Sequence, residues 1–191
     1  MSKVMLNMSM SLDGFIAGPN VGADLPMGKD GLRLHDWLLN EARSEINDQV
    51  AQDIFATTGA VVLGKRTFDV GIGVWKDTPF PVPCFVLTHE PRTMLVEKSG
   101  TFTFVTDGIE SAVRQAKAAA GGKAVGVMGA NTAQECLKAR LLDEIQISLA
   151  PVLLGMGTRL FEHLSIEPIE LETTRVIKAP NVTHLTFRVI K

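Results

Sequence analysis

The side chains best suited to chemistry fall in four short groups: Gly64-Lys65-Arg66-Thr67, Thr88-His89, Asp107-Gly108 and Gly129-Ala130-Asn131-Thr132. Each follows a run of apolar residues that reads as a buried strand. In an open α/β sheet ligands collect at such strand ends, because helix N-termini point free N–H groups there and favour anions. The glycine-led group Gly129, Ala130, Asn131 and Thr132 suits a pyrophosphate. Lys65, Arg66 and His89 suit a phosphate monoester, which rewards flexible or forked cationic donors. Together they describe a phosphorylated dinucleotide, of the NADP rather than the NAD type. Singly, each group also reads as a turn glycine, a solvated basic pair or a structural histidine, and only the shared position after strands joins them.

Competing motifs fail on inspection. Residues 59–65 spell G-x-x-x-x-G-K, but Arg66 stands where a magnesium-binding Ser or Thr is needed, and the intervening Ala, Val, Val and Leu belong to a strand. Gly155 and Gly157 begin a dinucleotide fingerprint that Leu160 interrupts. There is no H-x-E, and Leu87 replaces the second cysteine after Pro83-Cys84, so zinc deaminase chemistry is absent. No serine occupies a G-x-S-x-G elbow.

The chain of 191 residues is 46% hydrophobic and 21% charged, the composition of one globular domain spanning residues 1–191. Nineteen basic and 21 acidic side chains give a formal charge of −2, so no positive field exists to gather nucleic acid. Cys84 and Cys136 are expected as free thiols in a reducing compartment, too few for a structural zinc site, and no metal is expected. No basic segment leads into an apolar run, and no apolar stretch approaches the roughly 18 residues of a membrane span. A soluble cytoplasmic protein is the expectation.

The elements that must position these residues alternate. Residues 3–11 read as a strand ending at Asp13-Gly14, and the glycine- and proline-rich stretch 18–31 reads as a long loop over a ligand. Residues 32–39 and 41–56 read as helices, the second with Ile46, Val50 and Ile54 as an apolar stripe. Short strands are expected at 60–63, 84–87, 101–105 and 124–128. Asp107 with Glu110 reads as the capping signature of one helix, and Asn131 or Thr132 as the cap of another. Residues 143–149 and 183–189 alternate, with Ile145, Ile147, Leu149 and Leu185, Phe187, Val189 inward, and residues 169–177 form a further strand between them. The fold class expected is α/β, a three-layer α/β/α arrangement around a mixed, mostly parallel sheet that ends in antiparallel C-terminal strands.

The segments MSMSLDGFIA (8–17), VVLGKRTF (61–68), VLTHEP (86–91), VMGANT (127–132) and LLDEIQISLAPVLLGMGTRLF (141–161) resemble the dihydrofolate-reductase-like superfamily. The resemblance is strongest to the C-terminal reductase domain of the bifunctional riboflavin-biosynthesis deaminase–reductase and its free-standing bacterial relatives. It covers nearly the whole chain, and its most specific pieces are S-x-D-G at residues 11–14 and D-E-x-x-x-x-x-x-P-V-L-L-G-x-G at 143–157.

The resemblance implies an NADPH-binding set of Gly64, Lys65, Arg66, Thr67, Thr88, His89, Gly129, Ala130, Asn131 and Thr132. Ala130 departs from a family pattern of two adjacent glycines. It implies Asp13 as a catalytic carboxylate near nicotinamide and substrate, although Asp13 also reads as the cap of its turn with Gly14. By similarity to dihydrofolate reductases, Asp36 is a second catalytic carboxylate, beside Trp37. Trp37, like Trp75, is able to stack a heteroaromatic ring, and Leu153, Leu154 and Gly155 are expected to line the substrate site. The activity implied is an NADPH-dependent reductase acting on a small pyrimidine- or pterin-like heteroaromatic substrate, of the 5-amino-6-(5-phosphoribosylamino)uracil reductase type, in a homodimer. Dihydrofolate reduction and a non-catalytic nucleotide-binding dimeric scaffold are the alternatives.

Overall fold

A computed structural model of the chain describes residues 2–40, 44–164 and 167–191. The apolar runs become strands: β1 (Val4–Ser11), β2 (Phe15–Ala17), β3 (Thr58–Gly64), β4 (Cys84–Leu87), β5 (Leu95–Val96), β6 (Thr101–Val105), β7 (Ala124–Met128), β8 (Glu144–Ala150), β9 (Thr158–Arg159), β10 (Leu171–Ala179) and β11 (Val182–Val189). Nine of them form one sheet in the order β10-β11-β8-β1-β7-β3-β4-β6-β5, and β2 and β9 pair separately. β8, β1, β7, β3, β4 and β6 run parallel, whereas β11 is antiparallel to β8, β10 to β11 and β5 to β6. The architecture is the mixed, mostly parallel sheet with antiparallel C-terminal strands that the alternation implies.

Helices cover both faces. α4 (Ile109–Ala119) and α5 (Ala130–Lys138) bury Ala112, Val113, Ala116, Ala133 and Cys136 with Val4 and Leu6 of β1, Ala60 and Val62 of β3, and Val125 and Val127 of β7. Ile145, Ile147 and Leu149 of β8 and Leu185, Phe187 and Val189 of β11 join that core, as their period of two requires. The opposite face of β3, β4 and β6 packs on α3 (Lys65–Trp75) through Val61, Leu63, Phe68, Cys84, Val86 and Phe102. A third cluster sets Trp37 and Leu38 of α1 (Asp36–Leu39), and Val50 and Ile54 of α2 (Glu45–Thr57), against Ala179 and Val182 beside the β10–β11 turn. Both cysteines are free and buried, and burial pushes each thiol up to about 12, so neither is reactive. No helix among the described residues is long and apolar enough to cross a membrane.

Several local expectations change. Residues 32–39 are not one helix: Gly31–His35 is a 3-10 helix, and α1 is a single turn after it. The start of the next expected helix, residues 41–43, lies outside the described residues. Within α2, Val50 and Ile54 face inward, whereas Ile46 is 45% exposed and the buried residue of the first turn is Asn47. α3 had no sequence signal, because Gly71 and Gly73 lower helical propensity. A Cβ at Gly71 would sit 2.3 Å from the Trp75 indole, so this glycine makes room for the ring one turn on.

Leu6 is fully buried at the centre of the sheet, under α4 and α5. Leu6→Ala is expected to lower stability by about 2–5 kcal/mol, read from urea denaturation as a lower midpoint with an unchanged slope.

Candidate active site

β3, β6 and β7 each end in a glycine turn, at Gly64, Gly108 and Gly129, that opens a helix. None of the three helices has a side-chain N-cap. α2, by contrast, is capped by Ser44, whose hydroxyl accepts from the Asn47 N–H at 3.3 Å. All three uncapped starts border one cavity of about 790 Å³. The first turns of α3 and α5 carry no acidic side chain, so their N–H groups and partial positive charge face that space uncompensated.

The capping signature read at Asp107 and Glu110 gives way to Gly108 at φ +91°, and the Asp107 carboxylate instead accepts from the Ser111 hydroxyl at 2.7 Å. Gly129 is itself the N-cap of α5, which places Asn131 and Thr132 inside the first turn instead of at the cap.

The turns at Gly64 and Gly129 press together because β3 and β7 are neighbours, with Leu63 opposite Met128. A Cβ on Gly129, at φ +91°, would lie 2.4 Å from Thr67 Oγ1, and one on Gly64 would lie 3.0 Å from Thr132 Oγ1. Side chains there would fill the cradle. Ala130 does not fill it: it is the first residue of α5, without a positive φ, and its methyl is buried in the core under the helix. Lys65 is tied to Asp69 at 2.6 Å, whereas Arg66 is exposed and makes no ion pair among the described residues. Thr88 is buried and its hydroxyl accepts from the Glu90 N–H at 3.1 Å. His89, Glu90 and Glu135 complete this end.

From there the cavity runs over the face of the sheet between α2 and α3, walled by Ala51, Ile54 and Phe55 on one side and by Val70, Val74 and Trp75 on the other. Its floor contains Met5, Asn7 and Ser9 of β1, Gly126 of β7 and Ser148 of β8. Val21, Pro26 and Met27 close it from the 18–31 loop. That loop is fastened on itself by Gly18 N–H to the Met27 carbonyl at 2.9 Å and Lys29 N–H to the Pro19 carbonyl at 2.8 Å.

At this second end Trp37 is 6% exposed and donates from Nε1 to the Ser9 hydroxyl at 2.9 Å. His35 also lines the wall. Burial holds its imidazole below the ordinary value, hence neutral near pH 7, and its Nδ1 is the one buried side-chain N or O atom without a partner among the described residues. Asn7, Ser9, His35 and Ser148 escaped the sequence reading. The signal for the first two was a polar residue at every second place of an apolar strand.

Asp13 and Asp36 do not line this cavity, nor do Leu153, Leu154 and Gly155. Asp36 is exposed and borders a separate depression of about 310 Å³ with Arg33 and Asn40, because the single turn of α1 sends Trp37 to the sheet and its neighbour outward. The Asp13 carboxylate accepts from the Ser11 hydroxyl at 2.6 Å and from the N–H groups of Gly155 at 2.7 Å and Leu154 at 3.1 Å. Its own carbonyl accepts from Arg159 at 2.9 Å. In this geometry Asp13 joins the β1–β2 turn to the loop after β8, and Leu154 and Gly155 are its hydrogen-bond donors. The Ser11 hydroxyl above all, with these N–H groups beside it, lowers its pKa to about 2, while desolvation opposes them.

Residues 2–185 match the family described as RibD C-terminal domain. A protein of Bacillus subtilis (strain 168) of uncharacterized function is 31% identical over 169 residues, 86% of each chain. Among solved structures, a protein of Shewanella sp. PV-4 named for riboflavin biosynthesis superposes with a TM-score of 0.76 at 23% identity, over all of both chains. A diaminohydroxyphosphoribosylaminopyrimidine deaminase/5-amino-6-(5-phosphoribosylamino)uracil reductase of Thermotoga maritima gives 0.63 at 14% identity, over 99% of this chain and 57% of that one. Dihydrofolate reductase of Enterococcus faecalis, complexed with NADP(H) and RAB-propyl, gives 0.59 at 17% identity, over 99% of this chain and 97% of that one. These likenesses show a dihydrofolate-reductase-like fold.

Because the folded-state pKa of Asp13 is depressed, its ionised form stabilises the fold fully above its unfolded value near 4 and ceases to do so as pH falls through about 2. Asp13→Asn should therefore melt below the wild type at pH 7, with the gap closing between about pH 4 and pH 2. Thermal melts followed by circular dichroism check this, and a gap constant over that range would mean that the carboxylate charge is not what holds the loop.

Proposed function

Because the chain belongs to the RibD C-terminal domain family, we propose that it is an NADPH-dependent reductase of a pyrimidine-like ring, of the type that reduces 5-amino-6-(5-phosphoribosylamino)uracil. The observation that carries this reading is the convergence of three uncapped, glycine-led helix N-termini on one end of a large cavity. Backbone N–H groups without partners at such a place suit a pyrophosphate, and Gly64 and Gly129 keep the space that it needs. Arg66, exposed at the first turn of α3 and without an ion pair among the described residues, is the group for a terminal phosphate. Lys65, held by Asp69, contributes less.

Bound along the cavity, NADPH would supply a hydride to an electrophilic C=N or C=O carbon of the substrate. The protein binds, orients and dries the reactants. Uncapped N–H groups seat the phosphates, Trp75, Val70 and Val74 wall the middle of the cleft, and Val21, Pro26 and Met27 restrict water. Asn7, Ser9, Ser148 and neutral His35 offer the substrate end hydrogen-bonding groups without charge. That inventory favours an uncharged pyrimidinedione over a pterin held by a carboxylate, since Asp36 is turned away from the cavity. The departure at Ala130 does not weigh toward a non-catalytic scaffold, because its methyl lies in the core and leaves the cradle open.

Titration of the protein with NADPH, followed by nicotinamide fluorescence, should saturate in the micromolar range. Arg66→Ala is expected to weaken NADPH about tenfold, roughly 1.4 kcal/mol, and to leave NADH binding unchanged. Equal losses for both coenzymes would remove Arg66 from the 2′-phosphate site, and no binding of NADPH would overturn the reductase reading.

A further inference from the structure

The floor of the second end of the cleft is joined to a hydrogen-bonded chain whose direction is set from behind the sheet's lining residues. His184 of β11 is 6% exposed and stands opposite Ser148 in the β8–β11 register. Its Nε2 lies 3.1 Å from Asn47 Oδ1, and its Nδ1 lies 2.9 Å from Ser148 Oγ. Asn47 is 2% exposed in the first turn of α2. An amide oxygen only accepts, so the single proton of a neutral imidazole sits on Nε2, and Nδ1 keeps a lone pair. Burial, helped by the Arg175 guanidinium, holds the imidazole below its ordinary pKa and so in that neutral form. Trp37 packs edge-on against the ring at 4.8 Å between centroids and restrains its orientation.

Ser148 must then donate its only hydroxyl hydrogen to His184, and what remains for the cleft is a pair of lone pairs. Ser9 is in the opposite condition. It stands directly beside Ser148 in the β1–β8 register, and its oxygen accepts from the Trp37 indole N–H at 2.9 Å, which leaves its hydroxyl hydrogen without an acceptor among the described residues. Both serines line the cavity. Adjacent strands lie about 4.8 Å apart, so a donor and an acceptor stand side by side on the floor.

We propose that Asn47 and His184 are positioning residues that fix Ser148 as a hydrogen-bond acceptor, so that Ser9 and Ser148 together select a ring ligand with a C=O beside an N–H, a lactam edge. The ligand carbonyl accepts from Ser9 and its N–H donates to Ser148. This rests on reading the second end of the cleft as the site of a ring substrate, but the relay itself exists in the ligand-free protein and is measurable there. A ring alkylated at nitrogen loses the donor and leaves the buried Ser148 oxygen unpaired, which disfavours it.

The tautomer is read first, from ¹⁵N-resolved imidazole spectra of the ligand-free protein at pH 7. The Nε2–H form is expected for His184, and an Nδ1–H form or a histidinium overturns the relay. The selection is then read by calorimetry on the NADPH complex with two probes, 5,6-diaminouracil and 5,6-diamino-1,3-dimethyluracil. The wild type should prefer the unmethylated ring by at least about tenfold. In His184→Phe, which keeps a ring against Trp37 but frees the Ser148 hydroxyl to rotate, the preference should fall to about threefold or less. Ser148→Ala, a smaller change, should do the same, with NADPH affinity within about twofold of wild type in both variants. A merely structural role would shift NADPH affinity and leave the ratio alone, which overturns the inference. So does equal binding of the two probes, or binding of neither, by a wild type that binds NADPH. Those results leave the reductase reading standing, whereas failure of the wild type to bind NADPH removes that reading and the tautomer alone then decides the relay.

Discussion

Backbone N–H groups at the start of a helix need a partner, and the three helices that follow parallel strands of the sheet start without a side-chain cap. α3, α4 and α5 each leave a parallel strand through a glycine, and none has the serine, threonine, aspartate or asparagine cap that would close its first turn. Parallel strands deliver all three starts to the same edge, so the unpaired donors accumulate in one place instead of being spread over the surface. The cavity is built around that accumulation. Its glycines are there because β3 and β7 lie side by side and bring Thr67 and Thr132 within reach of any Cβ at Gly129 or Gly64.

The rest of the cleft follows from where helices are missing. α4 and α5 seal one face of the sheet with small, closely packed side chains. On the other face α3 covers β3, β4 and β6, and α1 with α2 packs toward β10 and β11, so β1 and β7 between them are left with a floor and no lid of their own. The 18–31 loop fills part of that gap while staying tied to itself through its own backbone. The proposed reductase reading rests on such a division: a donor-rich end suited to phosphates and a mostly apolar middle suited to rings.

Much of this was legible in residue order. Branched apolar runs ending in glycine marked β3 and β7, an apolar run led in by prolines marked β4, and the alternation of Ile145, Ile147 and Leu149 named the inward face of β8 correctly. α3 was hidden by Gly71 and Gly73, whose cost to a helix is offset by the packing of Trp75 over Gly71. Asp13 and Asp36 are catalytic carboxylates only by what the family resemblance implies. The fold uses Asp13 to hold the loop after β8, through Leu154 and Gly155, and turns Asp36 to a separate depression. Asn7, Ser9, Ser148 and His184 went unnoticed because a polar residue at every second position of a strand ordinarily faces water.

By itself the order of residues determined the strands, the glycine turns and the mixed sheet, since these depend on short-range steric and hydrophobic periodicities that neighbours in the chain already contain. It also determined that donors and cations would follow strands at Gly64, Thr88, Gly108 and Gly129. Only the tertiary structure decided which polar residues meet a ligand. The side of β1, β8 and β11 that holds Ser9, Ser148 and His184 becomes an interior floor because α1 and α2, distant in sequence, are packed over it. Hydrogen-bond direction there depends on partners 28, 36 and 137 residues apart, and no local pattern records it.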